Sequence, residues 1–208
     1  MARTSDAALA LIVAAEIGSE AEYTARGQRP SWPGGGSGVT IGIGCDLGEL
    51  TPADVRQHWV DLLPQATVSR LAQVAGVRGQ AAQVAAAALQ DIAVPLAVAQ
   101  AEFRSRELPP VEMEVRGTFP GADALPDDCF GALVSVVYNR GASLTSPDGR
   151  RVEMQQIHDA LVEARARDVP AYLRAMKRLW PASAAMDGLR TRRTAEAALF
   201  EAAIAPTA

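Results

Sequence analysis

The sequence predicts an α+β protein in which a small N-terminal β-hairpin lobe stands beside a larger, mostly helical lobe with a cleft between them. Three observations lead there. Of the 208 residues 49% are hydrophobic but only 5% aromatic, so the core must be built mainly from Ala, Val and Leu, which favours close-packed helices over a large sheet. The strand signal is confined to Val39–Ile43 (VTIGI), which alternates like a short strand after a Gly-rich run. From Thr51 onward the pattern is helical almost to the end, punctuated by Pro and Gly. The length fits one domain over 1–208, with the β-lobe at roughly 23–50 and the helical lobe at 1–22 and 51–208.

The first helix is expected over residues 6 to about 22, with Ser5 or Asp6 as its N-cap. Two prolines and four glycines between Arg26 and Gly38 exclude regular helix and suggest a long first hairpin arm. Thr51-Pro52-Ala53-Asp54 is a helix start, with Thr51 at the N-cap and Pro52 at the first helical position. Helices follow at 52–63, 65–75, 79–88 and 92–108. A loop holding Pro109, Pro110, Gly117, Pro120, Gly121 and Pro126 comes next. Residues 127–138 (within them CFGALVSVVY) are apolar enough to be the central helix, closed by Gly141. A turn at Ser146-Pro147-Asp148-Gly149 precedes helices at about 153–165, 168–178 and 190–204.

The formal net charge of −4 lacks the basic footprint of a nucleic-acid binder, and no stretch is long enough to span a bilayer. The strip Arg190, Arg192, Arg193 is the obvious local attractor for an anionic polymer. Cys45 and Cys129 do not form a disulfide scaffold and are expected to be unpaired. Ala7–Ala15 (AALALIVAA) superficially resembles a signal-peptide core. Yet Leu9, Ile12, Val13 and Ile17 recur at helical spacing, so a buried helix face is preferred. His58 and His158 sit in helical segments apart from any Cys or acid cluster in sequence, no metal-ligand spacing is visible, and neither metal nor cofactor is expected. Trp59 and Trp180 are expected in the core.

Three separated segments together resemble the phage-type lysozymes, the endolysin muramidases of glycoside hydrolase family 24. Glu16-Ile17-Gly18 through Tyr23 is similar to that family's acidic residue near the end of the first helix, with a Tyr seven positions on. Thr40-Ile41-Gly42-Ile43-Gly44 matches its TIGxG signature. Tyr138-Asn139-Arg140-Gly141, with Gly188-Leu189 through Arg192-Arg193, Glu196 and Leu199-Phe200, resembles its central-helix end and its C-terminal helix. The resemblance implies a lysozyme-like fold and a peptidoglycan hydrolase cutting the β-1,4 bond between N-acetylmuramic acid and N-acetylglucosamine.

It also implies roles. Glu16 would be the general acid, a task that needs a raised pKa and hence partial desolvation; by position alone it is an ordinary glutamate at a helix end beside Glu20 and Glu22. Thr40 would hold the attacking water, although Thr is also a routine strand former. The family's hairpin Asp, expected soon after Tyr23, is absent. Asp46 is the proposed replacement, against its reading as a turn residue; otherwise Ser37 and Thr40 would position water without a base. Cys45 stands where the family often has His. Arg192 matches the arginine that faces the catalytic Glu, or else pairs with Glu196 on its own helix. Tyr23, Tyr138 and Asn139 would contact the glycan, and Trp32 would stack on a sugar.

Two alternatives remain open at this point: a lytic transglycosylase, which needs an acid but no water-activating base, and a lysozyme-like module that binds peptidoglycan without cutting it. The expected partner is the peptidoglycan glycan strand, joined by a cognate immunity protein if the chain is a secreted toxin; neither nucleic acid nor membrane is expected. Synthesis in the cytoplasm and action in the periplasm or cell wall, after phage release or secretion, follow from the same reading.

Overall fold

The computed structural model describes residues 1–204. It is mostly helical with one small two-stranded antiparallel sheet among the described residues, an architecture compatible with the α+β class. Helix α1 (Asp6–Ile17) begins where Ser5 Oγ accepts the Ala8 N–H at 3.0 Å, leaving the N-cap to Ser5. It stops at Gly18, five residues short of the expected end, and the chain restarts in the short α2 (Glu20–Glu22) under a fresh N-cap, Ser19. The Ser19-Glu20-Ala21-Glu22 run carries the Ser-x-x-Glu pattern of a capping box, and that local signal overrides the helical periodicity. A π-helical turn, Tyr23–Gly27, follows.

The chain divides into two compact units, Glu16–Glu107 and Met1–Ala15 with Leu108–Ala208. The unit that holds the sheet is therefore much larger than the expected β-lobe at 23–50. In it β1 (Thr40–Ile41) pairs with β2 (Cys45–Asp46), Thr40 opposite Asp46 and Ile41 opposite Cys45. The strand signal over Val39–Ile43 is cut short because Gly42 and Gly44, at φ 61° and 83°, turn the chain back. Helices α3 (Pro52–Trp59), α4 (Gln65–Ala72), α5 (Gln80–Ala87) and α6 (Leu96–Glu102) complete the unit. Thr51 and Asp54 close a full capping box on α3. Backbone bonds from Gly76 to Leu47, from Gly79 to Ser37 and from Val94 to Gln28 tie these helices to the hairpin. Such long-range bonds are invisible to a reading of local pattern, and they explain the unit's extent. Its core holds Val39, Ile41, Ile43, Leu47, Trp59, Leu71 and Phe103.

A second π-helical turn, Phe103–Glu107, leads into α7 (Leu108–Thr118). The loop expected at Pro109 and Pro110 is thus a helix. Both prolines fall in its first turn, where a missing N–H leaves no carbonyl unserved within the helix. The other unit continues with α8 (Asp127–Arg140), α9 (Val152–Val162), α10 (Val169–Ala175) and α11 (Asp187–Ile204). Every residue of α8 from Cys129 to Val137 is buried, which makes it the central helix of its unit, packed by α7 and α11. Gly141, at φ 74°, ends it. Cys45 and Cys129 are free and buried, one in each unit. No helix among the described residues is long and apolar enough to cross a membrane.

One buried polar cluster locks α8 to α11. Glu196 Oε1 accepts from Ser135 Oγ at 2.5 Å and from Arg193 Nη2 at 2.8 Å, while Arg192 Nε reaches Ser135 Oγ at 3.1 Å. Glu196 and Arg193 are wholly buried, so removing the carboxylate would strand cationic groups away from water. Glu196→Ala is expected to lose about 3–5 kcal/mol in urea denaturation. Glu201→Ala, which breaks only the exposed pair with Arg174, should barely move the transition.

Candidate functional site

In the unit Glu16–Glu107, the C-terminal end of α1, the α2 segment and the glycine turn enclose a cavity of about 480 Å³. Its walls include Glu16, Glu22, Tyr23, Arg26, Gly42 and Gly44. Two of the segments singled out in the sequence, the one around Glu16 and Tyr23 and the turn of Thr40-Ile41-Gly42-Ile43-Gly44, therefore meet at one place. Glu16 is exposed at the last turn of α1, not desolvated as expected. Tyr23 lines the cavity, and its hydroxyl is engaged elsewhere. That group is buried and donates to the Val94 carbonyl at 2.9 Å, and burial pushes its pKa up to about 12.

Glu22 is the residue that sequence reasoning passed over. It supplies a second carboxylate to the cavity that holds Glu16. Ser19 Oγ accepts the Glu22 N–H at 3.2 Å and donates to Glu22 Oε2 at 3.3 Å. The carboxylate folds over Gly18, whose left-handed backbone (φ 73°) favours glycine. The signal was the same capping-box pattern that restarts the helix. Arg26, also missed, lies on the π-helical turn that follows.

Asp46 does not line this cavity. Its Oδ1 accepts the N–H groups of Gly38 at 3.0 Å and Gly48 at 2.8 Å. A carboxylate so engaged clamps two loop segments and stands outside the Glu16 cavity, where the sequence reading made it a base or electrostatic stabiliser. Gly38 is required there, since a Cβ would come within 2.3 Å of the Gly48 nitrogen. Thr40 is half-buried on β1, exchanges both backbone hydrogen bonds with Ser31 at 2.8 and 2.9 Å, and stands outside the cavity lining. Ser37 works through its backbone: its carbonyl accepts from Trp32 Nε1 at 3.1 Å and from Gly79 N at 2.9 Å. Trp32 itself is half-buried and lines a second cavity of about 400 Å³ with Arg29, Ser31, Gln83 and Gln90. Arg26 lines both cavities.

The remaining predicted residues lie in the other unit. Arg192 is 5% exposed and holds Ser135 and Glu196, while Arg193 is fully buried and Arg190 donates to the carbonyls of Lys177 and Trp180. The expected surface strip of arginines is therefore mostly internal cross-bracing. Cationic surface arises elsewhere: Arg140, Arg150 and Arg151 line a cavity of about 410 Å³ with Asn139, Asp148 and Trp180. Asn139 Oδ1 accepts from Arg193 Nη2 at 3.3 Å, and Tyr138 beside it is half-buried. Trp180 is half-buried under the Arg140 guanidinium, 5.7 Å from the ring centre, rather than in the core as expected. Trp59 is fully buried.

Cys45, His58, Glu102 and Glu107 converge within the unit Glu16–Glu107, their donor atoms all within 4.8 Å of one another. This overturns the sequence reading of His58 as isolated from Cys and acid groups. The intervals between these residues match no compact ligand motif, so folding alone brings them together. His58 Nδ1 lies 2.8 Å from Glu102 Oε1, yet the two do not form a simple ion pair. Burial depresses the imidazole below its usual 6.5, and burial with the adjacent Glu107 charge raises the Glu102 carboxyl to about 8. Near neutral pH both shifts favour a neutral hydrogen-bonded pair over an ion pair.

No family model matches the chain, and no curated protein matches it either.

Glu102 also makes stability depend on pH. Its folded pKa of about 8 lies above the ordinary 4.5, so the native state holds the proton more tightly than the unfolded chain. Its contribution is full below pH 4.5 and declines as pH rises towards 8, by an amount on the order of a few kcal/mol. His58, with a lowered pKa, acts in the opposite sense around 6.5. In urea titrations run with a chelator across this range, Glu102→Gln should remove a downward slope that the wild type shows. An unchanged slope would refute the assignment.

Proposed function

We propose that the chain is a lysozyme-like muramidase that hydrolyses the β-1,4 bond between N-acetylmuramic acid and N-acetylglucosamine in bacterial peptidoglycan. The observation that carries this reading is the cavity shared by Glu16, Tyr23 and the Gly42–Gly44 turn. It gathers into one place two sequence segments that independently resemble phage-type lysozymes. In this reading Glu16 protonates the leaving glycosidic oxygen, and a bound polymer supplies the desolvation that the exposed carboxyl lacks. Glu22 is the second carboxylate, in place of Asp46, and either activates water or offsets charge developing on the sugar. Trp32, reached from the same cavity past Arg26, offers a stacking face for a neighbouring sugar. The enzyme would act in the periplasm or cell wall.

A second reading, lytic transglycosylase, is favoured by one observation: the engagement of Asp46 with Gly38 and Gly48 removes the base that hydrolysis was expected to use. The product distinguishes them, since hydrolysis leaves a reducing sugar and transglycosylation a 1,6-anhydro sugar. Digestion of purified sacculi, followed by mass spectrometry, tests both. Glu16→Gln is expected to reduce the rate by about 100-fold or more, and Glu22→Gln to reduce it clearly under a hydrolytic mechanism. Asp46→Asn should retain the chemistry while lowering the thermal midpoint. Wild-type activity in Glu16→Gln, or binding to sacculi with no cleavage by the wild type, would sink the enzymatic reading.

A further inference from the structure

The cluster of Cys45, His58, Glu102 and Glu107 plays no part in the proposed glycan chemistry, and its composition is unusual for a protein interior. Cys45 comes from β2, His58 from α3, Glu102 from the last turn of α6 and Glu107 from the π-helical turn after it. Cys45 is 2% and Glu102 1% exposed, while His58 and Glu107 are half-buried. Buried carboxyls are rarely placed next to one another unless a cation offsets them. Arg106 acts on both His58 and Glu102, and a bound dication would offset the carboxylates and thiolate left when it displaces their protons.

From the geometry we infer that Cys45 Sγ, His58 Nδ1 and one oxygen each of Glu102 and Glu107 form a four-ligand site for a divalent transition-metal ion, with Zn²⁺ the best fit. A mixed thiolate, imidazole and carboxylate donor set suits Zn²⁺ and not the oxygen-seeking Ca²⁺ or Mg²⁺. Bond lengths of about 2.0–2.3 Å place the donors of a tetrahedral Zn²⁺ site roughly 3.3–3.8 Å apart. The observed limit of 4.8 Å contracts to this by side-chain rotation. The His58 to Glu102 contact of 2.8 Å opens as the ion takes the place of the shared proton. Binding releases the protons of the Cys45 thiol and the Glu102 carboxyl. Two carboxylates, a thiolate, the dication and Arg106 then sum to zero.

A second observation points to the same ligand. Trp59 is fully buried, its indole N–H has no hydrogen-bonding partner, and it lies beside the Cys45 sulfur, whose thiol burial pushes well up. A metal-bound thiolate is the acceptor this donor lacks. Four protein ligands with little exposed surface describe a closed, structural type of site. It would brace the unit at Cys45, the residue directly after the turn that lines the Glu16 cavity.

The test uses the full chain, stripped with a chelator and shown by circular dichroism to remain folded. Titration with Zn²⁺ in competition with a chromophoric chelator should give one ion per chain and a raised thermal midpoint. Co²⁺ in its place should give the visible bands of tetrahedral cobalt and a near-ultraviolet thiolate-to-cobalt charge-transfer band. His58→Gln and Glu107→Gln, both at half-buried positions, should weaken binding by more than about 10-fold. Cys45→Ser should abolish the charge-transfer band. If Cys45→Ser does not fold, the other two variants decide. Failure of the folded wild type to bind one ion overturns the proposal, as does binding that His58→Gln and Glu107→Gln leave unchanged. None of these readouts depends on glycan cleavage.

Discussion

A carboxylate that accepts two amide protons from different loops acts as a local cross-link, and Asp46 is such a residue. By holding the amides of Gly38 and Gly48, it pins the end of the glycine-rich arm to the segment after β2. The two-residue strands of the sheet provide too few ladder bonds to hold that geometry alone. With the arm fixed, the turn Gly42–Gly44 is presented to Glu16, Tyr23 and Arg26, and Cys45 is turned inward. Both the cavity and the cluster behind it therefore rest on a side chain that takes part in neither.

This also explains which parts of the fold could be read from sequence. The α3 cap was legible because Thr51, Pro52 and Asp54 act on their own backbone within four residues. The central position of α8 was legible because a run apolar but for Ser135 leaves a helix no solvent face. Asp46 was misread because the same residue type serves equally as base or as turn clamp, and only the distant Gly38 amide decides. Glu22 was overlooked for a related reason: its Ser19 cap was hidden inside a periodic pattern that seemed to run on to residue 22. Local rules gave the elements, while the hydrogen bonds tying residues 28–48 to 76–94 gave the extent of the unit.

Charge inside the two units is managed differently. Around Glu196, two guanidiniums and a hydroxyl converge on one carboxylate oxygen, Oε1, while Oε2 is buried without a partner. Around Glu102 the balance is reversed: acidic groups outnumber the cationic one, and the carboxyl keeps its proton. Glu102 was unremarkable in the sequence, and Glu196 stood out only by its motif and its spacing from Arg192, not by burial. Burial gives each its role, and burial depends on packing that a single sequence does not display.

The two thiols have a consequence of their own. Cys45 sits in one compact unit and Cys129 in the other, the first 2% exposed and the second entirely covered. A thiol-alkylating reagent can reach either only when its surroundings open, so the labelling rate of each reports the opening equilibrium of its own unit. The chain thus carries an internal gauge of cooperativity. Equal rates would mean that the units breathe together, and unequal rates would rank them by local stability.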